Sequence, residues 1–157
     1  MEITSFLGKY FKIKTKTATA TLADKFLITR SDDTSLEITG PGEYEVGGIS
    51  VVKLPYATII EADGTRSIWL EDVSGKLTER EVEEIGPIDI VLVPTDKGVE
   101  AAKQLDPWVI IPSSYSPTAV LKELGMGELN PVSKYVISSD KLPAELQIVV
   151  LEDKSHK

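Results

Sequence analysis

The chain has 157 residues, with 17 Lys or Arg against 25 Asp or Glu, a formal net charge of -8, one His and no Cys. A chain of this length makes one domain and buries roughly two-thirds of its unfolded surface. Its negative charge makes phosphate backbones and anionic lipid poor partners, the missing Cys excludes disulfides and thiolate metal sites, and a single imidazole excludes any His pair or triad.

Residues 1–10 hold no apolar core of the kind a secretory signal needs, and no apolar run approaches the roughly 20 residues of a membrane span. The expectation is a cytoplasmic protein with one domain over residues 1–152 and a frayed polar tail over 153–157, where the lone His156 lies.

In chain order, the first half reads as strands: short runs rich in Val, Ile, Thr and aromatics, separated by turn residues. The pattern predicts strands over 2–6, 10–14, 17–22, 25–29, 36–39, 44–46, 49–54, 57–62 and 67–70. Gly47-Gly48 and Asp63-Gly64 supply the positive φ of two-residue hairpin loops, so the segment reads as an antiparallel meander. After Asp72 helices alternate with apolar strands. Thr78 and Glu81 form a capping box for a helix over 79–85, which Gly86-Pro87 ends. A buried strand over 88–93 follows, then a helix over 97–105 capped by Thr95 or Asp96, and a second buried strand over 108–111. Ser116, Pro117 and Gly125 frame a third helix. Strands over 134–137 and 147–151 close the chain. Pro94 and Pro112 place loops 95–98 and 113–116 at the carboxyl ends of the two buried strands, where open α/β sheets carry chemistry.

The stretch Ile38-Thr39-Gly40-Pro41-Gly42-Glu43-Tyr44-Glu45-Val46-Gly47-Gly48-Ile49 fixes a turn and a hairpin and lets backbone approach closely. It lacks the lysine and the following helix of a phosphate loop, so the structural reading is the simpler one. This run resembles part of the metallo-β-lactamase superfamily, in a branch similar to ascorbate-phosphate lactonases. Other pieces fall in the same order. Residues 1–4 with Leu7-Gly8-Lys9-Tyr10-Phe11-Lys12-Ile13 resemble the opening hairpin, where the family commonly has Gly-His-Ser-Cys-Phe. Ser67-Ile68-Trp69-Leu70-Glu71-Asp72 resembles the strand that normally ends His-Leu-Gly-Asp. The helix and strand over 77–94 resemble those that follow it, and Val109-Ile110-Ile111-Pro112-Ser113-Ser114-Tyr115 resembles the strand that normally ends Ile-Pro-Met-His-Tyr.

The resemblance implies a trimmed αββα sandwich in the α/β (α+β) class, and a hydrolase whose metal ions sit on a His-x-His-x-Asp-His loop, a later His, a bridging Asp and a last His. This chain departs from that ligand set. The loop is missing, since residues 26–31 lead only into Asp32, Asp33 and Thr34. Trp69 stands for the His and Glu71 for the Gly of the second motif, Ser114 stands for the last His, and Asp72 alone matches a family ligand. A zinc site needs several donors converging at about 2.0–2.2 Å, which one carboxylate does not provide. No metal and no cofactor is expected.

Three weaker constellations remain. Asp32, Asp33, Glu71 and Asp72 could form an oxygen cage for Mg or Ca, with solvated loop acids as the plainer reading. Ser113, Ser114 and Ser116 beside Tyr115 sit on a favourable loop, and Thr95 and Lys97 on its neighbour, but a nucleophilic Ser needs a base and only Lys97 is near in the pattern. Trp69 and Trp108 read as core packing rather than stacking platforms. The expected function is that of a non-catalytic scaffold acting through self-association or a protein partner, with a homo-oligomer as its simplest form. The alternatives are a hydrolase of a lactone, phosphate ester or sugar phosphate built on Asp72, Glu71 and Ser114, and a small-ligand sensor that keeps the family pocket.

Overall fold

The computed structural model describes residues 1–113 and 117–154. The first half is a run of nine strands: β1 (Glu2–Phe6), β2 (Tyr10–Lys14), β3 (Ala18–Leu22), β4 (Phe26–Arg30), β5 (Ser35–Ile38), β6 (Gly42–Val46), β7 (Ile49–Lys53), β8 (Thr58–Ala62) and β9 (Thr65–Trp69). Then come α1 (Glu79–Ile85), β10 (Ile90–Val93), α2 (Val99–Gln104), β11 (Val109–Pro112), α3 (Pro117–Glu123), β12 (Tyr135–Val136) and β13 (Gln147–Ile148). The strands make two sheets, in the orders β12-β1-β2-β3-β4-β5 and β13-β11-β10-β9-β8-β7-β6. The first is antiparallel throughout. The second is antiparallel from β6 to β9 and parallel from β9 through β10 and β11 to β13.

Alternation along each strand decides what it covers. In β2 the inward Phe11 and Ile13 are fully buried while Lys12 and Lys14 face water. In β10 and β11 every residue is buried, as expected of parallel strands covered on both faces. One core lies between the sheets and includes Ile3, Phe11, Ile28, Ile60, Trp69, Leu92 and Ile111. The other lies on the far face of the second sheet, where Ile68, Val91 and Ile110 meet Ile85 of α1, Ala101 and Ala102 of α2 and Val120 of α3. The helices therefore occupy one outer face. Among the described residues none covers the outer face of the first sheet, so the layer order is sheet, sheet, helices rather than the expected αββα.

Several local predictions hold. Thr78 and Glu81 close the capping box on α1, and Gly86 ends it with φ 73°. Gly47 and Gly48 take φ 59° and 84°, and Asp63 and Gly64 take 51° and 74°. At Gly47 the close approach is literal: a Cβ there would lie 2.8 Å from the Cβ of Ala18, and the Thr17 hydroxyl donates to the Gly47 carbonyl at 2.6 Å. The Gly-rich stretch thus locks one sheet against the other.

Other predictions need correction. The helix expected over 97–105 is a 3-10 turn over Asp96–Gly98 followed by α2, and the side chain of Thr95 makes no cap. The closing strand is two residues long, continued by a bridge from Val132 to Leu151. The tail is held further than expected: Asp153 bridges Ser5 and accepts a hydrogen bond from the Gly8 amide, and the Lys154 amide donates to the Ser5 carbonyl. His156 lies outside the described residues. Trp69 is in the core, whereas Trp108 is 43% exposed because it precedes β11 at the amino end of the sheet.

Candidate functional site

Strand direction sorts the candidate residues into two groups. The N-terminal amine pairs with Asp63, at 3.1 Å, in the turn that precedes β9. The Ser31 amide donates to Thr17, and Thr17 to Gly47, so the β2–β3, β4–β5 and β6–β7 turns share one end of the sandwich with that Met1–Asp63 pair. Asp32 and Asp33 are at this end. There Asp32 accepts from the Thr34 hydroxyl at 2.6 Å and amide at 3.0 Å, which hold its carboxyl below the ordinary carboxylate range, the hydroxyl bond counting most. Asp33 sits beside it at φ 68°. These contacts describe a tight turn.

Glu71 and Asp72 lie past the carboxyl end of β9, beyond a strand of five residues that spans roughly 16 Å. The structure therefore separates the four acids that a carboxylate cage would need to bring together. Among the described residues no three His, Cys, Asp or Glu side chains converge as metal donors.

The carboxyl ends of β9, β10 and β11 do gather Trp69, Glu71, Asp72, Thr95 and Ser113. Most of these groups are already engaged. Glu71 accepts from Lys53 Nζ at 3.0 Å and from the buried Thr58 hydroxyl at 3.1 Å. Ser113 is 1% exposed, and its hydroxyl donates to the Pro94 carbonyl at 2.8 Å, tying the β11 loop to the β10 loop instead of presenting a nucleophile. Thr95 is exposed at the start of the 3-10 turn. Asp72 is exposed too, and among the described residues its carboxylate has no hydrogen-bond or ion-pair partner. Ser114 and Tyr115 lie outside the described residues.

Trp69, which the sequence resemblance sets where a His is expected, packs in the inter-sheet core. Among the described residues its indole Nε1 has no partner, and neither do the hydroxyls of Thr65 and Ser67 on the same face of β9. The resulting stripe of three buried polar atoms was not visible in the sequence, where Thr and Ser in a strand read as ordinary strand residues. The Lys53–Glu71–Thr58 cluster was also missed. Its members come from separate strands and the loop after β9, and only the β7–β8–β9 register brings them side by side.

No protein-family model and no curated protein matches the sequence. Among solved structures the chain is similar to a candidate Zn-dependent hydrolase of the metallo-beta-lactamase superfamily from Thermotoga maritima. The TM-score is 0.71 at 23% identity, over 97% of this chain and 99% of that one. At that identity the likeness establishes the fold: a mixed α/β, two-sheet structure built mostly of strands, like that of a metallo-beta-lactamase-type hydrolase. The residues present do not fit the zinc ion named for that neighbour. The carboxyl ends of β9 to β11 offer only the exposed carboxylates of Asp72 and Asp96 as unengaged donors among the described residues, these do not belong to any converging group of three, and the chain's single imidazole is in the terminal segment. Among the described residues no helix is long and apolar enough to cross a membrane.

Proposed function

We propose that this chain is a non-catalytic member of the metallo-β-lactamase-like fold, a scaffold that acts by associating with itself or with a protein partner. The observation that carries the reading is the state of the carboxyl end of the second sheet. Where a metal hydrolase needs converging imidazoles and carboxylates, Trp69 is turned into the core, Glu71 is committed to Lys53 and Thr58, Ser113 is committed to Pro94, and Asp72 stands alone in solvent. Losing a group that merely orients a metal ligand weakens a site roughly 10- to 100-fold, and here the ligating side chains themselves are other residues.

Elemental analysis of the purified protein, with and without added Zn, Mg or Ca, tests this directly. The expected result is no stoichiometric metal and a melting temperature that chelator leaves unchanged. Tightly bound metal at one ion per chain, or a melting temperature that falls with chelator and recovers with Zn, would overturn the reading.

A further inference from the structure

The outer face of the first sheet carries a shallow groove of about 510 Å³ lined by Lys12, Lys14, Lys16 and Arg30, with threonines between them and Asp33 as its one carboxylate. These four cations are clustered on a chain whose net charge is -8. All four are exposed, and among the described residues none of them forms an ion pair. Lys12 rests over the Phe6 ring at 5.3 Å, which holds its ammonium group on this face. The cations are spread from β2 to the end of β4 and do not converge on a point. Such a surface suits an extended ligand with repeated negative charges better than a single small anion.

The same molecule carries the opposite pattern on its other outer face. Helix α1 presents Glu79 and Glu83 to solvent against one Arg80, with Glu81 committed to the capping box and Glu84 accepting from the Tyr56 hydroxyl at 2.8 Å. Glu79 and Glu83 are one helical turn apart, with Cβ atoms about 5–6 Å from each other. Lys12 and Lys14 leave the same face of β2 at a spacing of roughly 6.6 Å. The two charge ladders are complementary in sign and close in spacing.

We infer that the basic groove on the first sheet receives helix α1 of a second copy of this chain. The inference rests on the self-association reading above and gives it a surface. Groove and helix lie on opposite outer faces of the sandwich, so the contact is head-to-tail and propagates as a ring or an open array rather than a closed symmetric dimer.

Sedimentation velocity on the full chain is the test, using Lys12→Glu with Lys14→Glu as the groove variant and Glu79→Lys with Glu83→Lys as the helix variant. Thermal melts accompany both, and Glu83→Lys alone replaces the helix pair if that pair fails to fold. The wild type should associate at low salt and dissociate as salt rises from about 0.01 M to about 1 M, where the screening length falls from roughly 30 Å to roughly 3 Å. Each variant alone should sediment as a monomer. An equimolar mixture of the two should associate again, because each reversed groove then meets a reversed helix. Association that neither variant alters would overturn this surface while leaving the self-association reading standing. Loss of association in the groove variant alone would assign the groove to a different occupant and overturn the helix as its partner. A wild type that stays monomeric at every concentration and salt would overturn the surface and the self-association together.

Discussion

The two sheets of this molecule share a core but not an environment. The second sheet has apolar side chains on both faces, against the first sheet on one side and the helices on the other. The first sheet is buried on its inner face, while its outer face is left to Lys12, Lys14, Thr19, Thr21 and Thr29. Stability and recognition are therefore separable in this molecule. Substitutions within the second sheet should act on folding, whereas those on the open face of the first should act on what the molecule touches.

The largest expected effect tests the doubly covered sheet. Leu92 is fully buried in β10 between Trp69 and Ile111, its register partners on the neighbouring strands. Leu92→Ala removes methyl groups from a position with no route to collapse and should cost about 2–5 kcal/mol in denaturant unfolding. Lys12→Ala on the open face is the matched control, expected within about 0.5 kcal/mol. Equal losses at the two sites would erase the distinction between the sheets.

A smaller effect, opposite in sign, sharpens the comparison inside the shared core. The Ser67 hydroxyl is fully buried and has no partner among the described residues, so its desolvation is uncompensated. Ser67→Ala keeps the shape and removes the orphan, and it should raise stability by about 1 kcal/mol. A clear loss on the same substitution would show that the hydroxyl has a partner in solution, such as an internal water.

These contrasts also show what the sequence could reveal. Features written within a few residues were legible: the Thr78–Glu81 capping box, the positive-φ pairs at Gly47-Gly48 and Asp63-Gly64, and the unbroken apolar runs of β10 and β11. Their signals are local and depend on backbone chemistry. Features that depend on which face meets which layer were not. Period-2 alternation in β2 separates Phe11 from Lys12 but does not say whether a helix covers the lysine; the family resemblance implied a second helical layer, and among the described residues none lies on that face. Trp108 reads as core because it adjoins an apolar strand, yet it stands one residue before that strand and is less than two-thirds buried. The alternative of a carboxylate cage is not assembled, for a related reason. Residues 32–33 and 71–72 are acidic pairs in loops, and only strand direction shows that they flank opposite ends of the sandwich.

The smallest expected effect falls on Asp72, the one residue that the sequence resemblance pairs with a metal ligand. Its neighbour Glu71 provides the contrast: that carboxylate anchors Lys53 and satisfies the buried Thr58 hydroxyl, so its loss strands a buried donor. Asp72 is exposed and, among the described residues, satisfies nothing, so neither packing nor a hydrogen bond is lost with it. Asp72→Ala should therefore change unfolding free energy by no more than about 0.5 kcal/mol, the usual scale for a surface substitution away from caps and networks. It should also leave unchanged the sedimentation profile, the metal content and the response to chelator. A metal-binding Asp72 behaves differently on every readout: its removal would release bound ion, abolish any chelator sensitivity and lower the melting temperature by the same step that chelation does. Those outcomes together would establish the carboxyl end of β9 as a working metal site and end the scaffold reading, whereas a silent substitution leaves Asp72 as a solvated loop acid beside a Glu71 that the fold uses.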